Sequence, residues 1–362
     1  MDGMKTDPIK WMPEMSTPKE RIMIPRKEDH LKAAGELYGI DHEVLFKRRH
    51  VLKTEKMKAV LRLQDRLFRI VRDEMSGYGY LELQAPIIGP ATDPGIRGAK
   101  QVSFDYYGTE FKIMSSMILY KQMAADTLGK IYAFSPNIRL EPLGSATTGR
   151  HLAEFYQIDM EEADGTMEGT MLHVEKLLSA TMTRIKETCG EELRTLGRKL
   201  SVADGRYKVY TYQQMHEISE RAGMPFAFGE ELPWESEAVV SKKEKHPFWI
   251  VDYPVGSRGF YYIEDPDRPG TLKTMDLIYP EGFGEAGSGG EREYRYEQVK
   301  KKMLEGGDDP KKYKWYMDML KEGIKPSCGI GLGVERLTRY LTGQYSIIDC
   351  TPFPKLPGVA SP

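Results

Sequence analysis

Cysteine is almost absent from this sequence. Cys189, Cys328 and Cys350 are scattered through 362 residues, which makes neither a disulfide framework nor a paired zinc motif. Long apolar runs are missing as well: none approaches the ~18 residues that a membrane span needs, and a transmembrane role is excluded. The first twenty residues, with Pro8, Pro13 and Pro18, hold no apolar core of a secretory signal, so the expected location is cytoplasmic. Neither sign of charge dominates. Lys+Arg number 52 against 54 Asp+Glu, a net charge of -2, with a pI near 6.4. That balance argues against a broad basic face for nucleic acid. His30, His42, His50, His173, His216 and His246 form no metal-spaced pair. Gly-x-Ser-x-Gly, His-Glu-x-x-His and P-loop motifs are also lacking, which leaves serine hydrolases, metal hydrolases and P-loop kinases without support.

What is present reads as a globular chain, 40% hydrophobic and 29% charged. Residues 1–55 are punctuated by lysine and proline, with a helix expected over 28–38, and read as an arm. The remainder, 56–362, reads as one body. Val60, Leu63, Leu67, Ile70 and Val71 recur at helical spacing up to Gly77. Residues 80–84 alternate as a strand that ends before Pro86. Residues 131–134 and 155–160 read as two strands around the glycine-rich turn 144–149. Met171, Val174, Leu178 and Ile185 mark a second long helix. Residues 248–251 and 275–279 read as buried strands, 294–305 as a charged helix, and 329–333 leads into a helix through Leu337 and Leu341. Strands separated by long helical excursions, without regular βαβ alternation, imply an α+β fold with a mostly antiparallel sheet flanked by helices.

Four groups of residues could carry chemistry. Arg139, at a strand end, either clamps a phosphate with its planar fork or pairs with Glu141 at the surface. Further on, Gln157, Asp159 and Glu161 point to one face of a strand, which lines a wet pocket or faces solvent. Asp276 and Glu285 bracket the turn 280–284 ahead of the run Gly287-Ser288-Gly289-Gly290. Two carboxylates and backbone-permissive glycines suit magnesium beside a triphosphate, or form an ordinary mobile loop. Finally, Gly329-x-Gly331-x-Gly333 before a helix lacks the spacing of a dinucleotide fingerprint, because Arg336 stands where the third glycine belongs. An arginine in that first turn could instead hold a terminal phosphate.

Taken in order, these segments resemble the three signature motifs of the class II aminoacyl-tRNA synthetases of the aspartyl/asparaginyl/lysyl subgroup. The helix and strand ending at Pro86 resemble the first motif, which implies a homodimer through that region. Arg139-Leu-Glu141 with Arg150-His151-x-x-Glu154-Phe155-x-Gln157-x-Asp159-x-Glu161 resembles the second, and 329–336 the third. Residues 352–358 are similar to the family's closing segment, so the likeness runs from about 56 to 358. It implies ATP and Mg2+ as cofactors. Arg139 would hold the α-phosphate, His151 and Arg336 the γ-phosphate, and Phe155, with Glu154 beside it, the adenine. Glu141, Arg150 and Gly333 would complete the ATP site, and Asp276 and Glu285 would bind the metal. Gln157 and Asp159 would receive the substrate ammonium, with Ser116, Ser288 and Gly289 around the amino acid. Arg292 would grip a carboxylate in bidentate fashion, and Lys121, an aspartyl-type feature, a second one. Arg139 and Arg336 are the expected catalytic residues. Ile118 departs from the aspartyl pattern, which places a glutamine there.

Only about 55 residues precede the first motif, and they lack the short strands of an anticodon-binding OB-fold. With the low pI, this argues against tRNA as a partner. The resemblance extends to archaeal asparagine synthetases related to asparaginyl-tRNA synthetase, and implies AMP-forming synthesis of asparagine from aspartate and ammonia through a β-aspartyl-adenylate. The alternatives are a related adenylating ligase that uses another amine or carrier, or a truncated aspartyl- or asparaginyl-tRNA synthetase.

Overall fold

The computed structural model describes residues 42–93, 99–142, 145, 148–359 and 361. The helix expected over 28–38 lies outside them. Two short helices, α1 (His42–Phe46) and α2 (Arg48–Lys53), lead into α3 (Glu55–Gly77). Thr54 caps α3 by accepting from Met57 N at 3.2 Å. Its apolar stripe is the one the spacing predicts: Val60, Leu63, Leu67, Ile70 and Val71 are all fully buried. Each such side chain contributes roughly 1.5–3 kcal/mol of burial.

The centre is an eight-stranded sheet in the order β1-β5-β6-β11-β10-β9-β8-β7. Its strands are β1 (Leu81–Glu82), β5 (Lys130–Ile138), β6 (Glu154–Ala163), β7 (Lys208–Thr211), β8 (Phe248–Val251), β9 (Thr274–Tyr279), β10 (Gly284–Glu291) and β11 (Ser327–Gly333). The edge pairs β1/β5 and β7/β8 are parallel, and the five pairings between them are antiparallel. A small second sheet joins β2 (Ile88–Gly89), β3 (Ser103–Tyr106) and β4 (Thr109–Ile113). Helix α4 (Met167–Thr188) packs with α3 on one face of the large sheet, where Val174, Leu178 and Met182 meet Leu277, Ile330 and Leu332 in the main core. The opposite face holds the polar residues of β6, β9 and β10. The fold is therefore the α+β, antiparallel-rich arrangement that the sequence implies.

Two elements differ from expectation. The alternating segment 80–84 forms only the two-residue strand β1. The glycine run 287–290, which reads as an open loop after the turn 280–284, lies in the central strand β10. Its glycines are steric: a Cβ on Gly287 would lie 2.0 Å from Gly331 O, and one on Gly289 would lie 2.4 Å from Gly329 O. Strands β10 and β11 approach each other as only glycine allows.

Residues 44–53, which the sequence reading assigns to an arm, pack on the rest of the chain. Leu45 is fully buried with Leu152, Ile347, Ile348 and Leu356, and Arg48 donates to Pro352 O at 2.8 Å and Thr351 O at 3.0 Å. Among the described residues no helix is long and apolar enough to cross a membrane.

Candidate active site

The polar face of the sheet forms the floor of a cavity of about 920 Å3. Alternation along β6 sends Phe155, Gln157, Asp159 and Glu161 to this face. Gly329 and Gly331 on β11 leave room above them: a Cβ on Gly331 would lie 2.8 Å from Gln157 Nε2 and 2.9 Å from Asp159 Oδ1. A β-bulge between Glu285 and Gly287 shifts the register of β10, so that Glu285 pairs with Ile278 and Ser288 with Asp276. Glu285, Ser288 and Asp276 consequently share the cavity side, although 285 and 288 would face opposite ways in a regular strand.

Most of the residues expected from the sequence do converge here. Ser116, Lys121, Gln157, Asp159, Ser288 and Arg292 line one part of the cavity, and Arg139, Glu141, Arg150, His151, Phe155, Glu285, Gly333 and Arg336 line the rest. Glu154, Gly289 and Asp276 are not among the lining residues. The alternation that sets Phe155 over the cavity turns Glu154 away from it, since one step along a strand reverses the side chain, and the Glu154 carboxylate raises the pKa of buried Glu335. Gly289 is consumed by the close approach of β10 to β11. Asp276 faces the cavity side but is covered by Arg258, whose Nη2 lies 2.5 Å from Asp276 Oδ2.

The charged groups are arranged in internal pairs. Lys121 Nζ lies 2.8 Å from Asp159 Oδ1 and 3.7 Å from Glu161 Oε2, and Ser135 also donates to Asp159. Arg292 sends Nε and Nη2 to the two oxygens of Glu161 at 2.9 and 3.0 Å, and Nη2 also to Gly329 O at 2.9 Å. Burial alone would lower the Arg292 pKa, but Glu161 outweighs it and raises it. The fork that the resemblance assigns to substrate holds Glu161 here, and the buried Nη1 is left without a hydrogen-bond partner in the protein. The doubly cationic pocket inferred from Lys121 and Arg292 is neutralised by Asp159 and Glu161.

The phosphate end follows the same pattern. Arg336 Nη1 lies 3.2 Å from Glu285 Oε1, and burial lowers its pKa against the pull of Glu285. Arg150 Nη1 meets Glu237 Oε2 at 2.7 Å, both side chains being nearly buried. Burial pushes the Glu237 carboxyl up against the opposing charge of Arg150, and Glu237 also accepts from Glu285 N at 3.3 Å. Arg139 donates Nε to Ser115 O at 3.0 Å, and its guanidinium lies 5.0 Å from the centre of the Phe155 ring. His151 bonds Thr148 through Nδ1 at 2.6 Å. Burial, then Arg336 and Arg150, bring its pKa down to about 3, so the ring is neutral at physiological pH.

Sequence reasoning missed Arg258, Glu231, Glu237 and Glu335. The first three sit outside the recognisable motifs, in the segment 231–258. Glu335 lies inside the third motif and accepts Tyr156 N through both oxygens at 3.0 and 3.2 Å. As donors, Asp276 and Glu285 fit magnesium, a hard cation that commonly takes one or two carboxylates with phosphates and water. Among the described residues no group of three or more His, Cys, Asp or Glu could hold a metal ion on its own.

A glycine-floored cavity on an antiparallel sheet, with one arginine just past the end of β5 and another in the first turn of the last α-helix, defines the class II synthetase core. The profile of the class II tRNA synthetases (D, K and N) matches residues 41–357, and the chain belongs to that family of ligases. The chain is 30% identical over 324 residues to an asparagine–tRNA ligase of Lactobacillus delbrueckii subsp. bulgaricus, covering 88% of this chain and 73% of the relative. It is also 30% identical over 345 residues to one of Thermus thermophilus, covering 92% and 77%. The crystal structure of asparaginyl-tRNA synthetase from Pyrococcus horikoshii complexed with asparaginyl-adenylate superimposes with a TM-score of 0.83 at 28% identity, over 88% of this chain and 73% of that one.

These relatives overturn two expectations. Ammonia-dependent asparagine synthesis from aspartate is replaced by the tRNA-ligase reading, because the relatives that match nearly the whole chain are named asparagine–tRNA ligases. The exclusion of tRNA falls with it. Net charge averages over the whole surface, and a chain near neutrality can still carry the local field that a nucleic acid needs.

Proposed function

We propose that this chain activates an amino acid with ATP and transfers it to tRNA. The observation that carries the reading is the convergence of Arg139, Phe155, Glu285 and Arg336 on one cavity wall, beside Gln157 and Asp159. The amino-acid carboxylate would attack the α-phosphorus, forming the aminoacyl adenylate as pyrophosphate leaves. Arg139 would hold the α-phosphate and Arg336 the departing end, so charge develops against fixed donors in a partly dry site. His151 is neutral, and would donate or accept a hydrogen bond there without adding a charge. Asp276 and Glu285 would hold Mg2+, which neutralises phosphate charge when bound. Phe155 and Arg139 form a flat apolar and cationic surface suited to adenine. Orientation of two bound reactants is worth up to ~7–11 kcal/mol in favourable systems.

We infer asparagine as the amino acid. Lys121, Arg292, Asp159 and Glu161 cancel one another, and a zwitterion with a neutral amide leaves that balance intact. An aspartate would bring one more negative charge into a buried site, a cost on the order of a few kcal/mol unless a proton accompanies it. The second reading, aspartate, rests on Lys121, which lies within 2.8 Å of Asp159. The test is pyrophosphate exchange with asparagine and with aspartate, followed by acylation of unfractionated tRNA. Asparagine-dependent exchange and charging are expected. Exchange with aspartate alone would reverse the substrate, and exchange without charging would remove tRNA as acceptor.

A further inference from the structure

One buried cation takes no part in the scheme above. Arg258 lies in the loop between β8 and β9, lines the cavity and has a side chain only 4% exposed. Its Nη2 is shared between Asp276 Oδ2 at 2.5 Å and Glu231 Oε1 at 3.3 Å, and its Nη1 lies 3.5 Å from Ser288 Oγ. One face of the guanidinium rests 3.8 Å from the centre of the Tyr253 ring. The arrangement is incomplete, because Nε is buried with no hydrogen-bond partner, an arrangement that a permanent structural ion pair seldom leaves.

The carboxylate that Arg258 covers is one of the two assigned above to the metal. The other, Glu285, is covered in the same way by Arg336, at 3.2 Å. Each metal carboxylate is thus matched by a cavity-lining arginine that carries the same sign of charge as the ion it would receive. Two positive charges within a few ångströms of one carboxylate repel strongly in a partly dry site, so a divalent cation and Arg258 compete for Asp276. Gly256 (φ 93°) and Gly259 flank Arg258, and Gly256 allows backbone freedom that a side-chain-bearing residue would restrict.

We propose that Arg258 is an internal counter-cation that a divalent metal must displace from Asp276 and Glu231, which keeps metal affinity low until substrate anions arrive to take the guanidinium. This inference rests on the assignment of Asp276 and Glu285 to the metal. Arg258 is accordingly a positioning residue, and its removal strengthens metal binding where the loss of a supporting contact weakens it.

The test uses the full chain with Mn2+ as the probe and no nucleotide, following the free aquo-ion by electron paramagnetic resonance. Arg258→Gln is expected to bind Mn2+ on the order of tenfold more tightly than the wild type, because two carboxylates lose their cation. Arg258→Met serves as the second variant with the same expectation, and urea unfolding without metal checks that each variant is folded. Glu285→Gln locates the ion. If Glu285→Gln leaves Mn2+ affinity unchanged, the metal assignment fails and this inference with it. If Glu285→Gln weakens binding while both Arg258 variants bind no more tightly than wild type, the metal assignment stands and the displacement idea is overturned.

Discussion

Glu335 makes the ionisation of one buried carboxylate measurable. It lies in the first turn of helix α5 (Val334–Thr342) and is only 5% exposed. Burial pushes its pKa from the ordinary 4.5 up to about 7; hydrogen bonds from Tyr156 N and from its own backbone oppose the rise, and Glu154 adds to it. Between those two values the folded chain keeps a proton that the unfolded chain has released, so folding weakens as pH rises through the window. Glutamine at this position cannot ionise, and its carbonyl can still accept from Tyr156. At 1.36 kcal/mol per pKa unit, the stability of wild type relative to Glu335→Gln should fall by about 2.5 kcal/mol between pH 5 and pH 8. Urea titrations of both proteins at pH 5, 6, 7 and 8 give that gap as a difference of differences, in which constant effects of the substitution cancel. A gap that stays within about 0.5 kcal/mol across the range, or that closes as pH rises, would refute a protonated Glu335 in the folded site.

Gly331→Ala should fold, because the crowding side-chain ends of Gln157 and Asp159 can yield; the methyl intrudes on the floor, and the KM for the amino acid in pyrophosphate exchange should rise at least tenfold while that for ATP changes little. Glu237→Gln leaves Arg150 without its 2.7 Å counter-charge, and a loss of about 3–5 kcal/mol in urea unfolding is expected for a broken buried pair. The His151 pKa is depressed, so its contribution to stability is present above pH 6.5 and is lost as pH falls from there toward 3. Its ring nitrogens should accordingly show a neutral imidazole in NMR from pH 5 to pH 8, and a titration midpoint near 6.5 would count against the buried, arginine-flanked setting.

Elements that obey a simple period were legible. The stripe of α3 and the strands β5, β6, β8 and β9 follow from spacing and apolar runs, since burial on one side imposes that pattern. Strand β10 was not, because the contact it makes with β11 demands glycine, and glycine is also the mark of a turn. The small sheet β2–β4 carries no clean alternation, having only intermediate or exposed positions on β3 and β4. The motif residues were legible as a set because three weak patterns in order are improbable by chance. Their orientation was not always so: the alternation that sets Phe155 over the cavity turns Glu154 away from it.

The larger gap concerns charge. A sequence shows that Lys121 and Arg292 are cations, and two cations near a substrate suggest a dicarboxylate. It does not show that Asp159 and Glu161 stand within 2.8 and 2.9 Å of them, and the sign of the pocket reverses its meaning once they do. The same holds for Arg336 with Glu285 and for Arg150 with Glu237. Glu237 lies 87 residues from its partner, too far for any local pattern to join them. On the proposed function the site holds a tetravalent nucleotide, a divalent ion and a zwitterion in turn, and it cannot keep its own charges unpaired without a high desolvation cost. Pairing them internally lowers that cost, and makes binding an exchange of partners. Specificity then depends on which substrate leaves every exchanged charge with a partner, a property of the whole set that no single lysine or arginine carries.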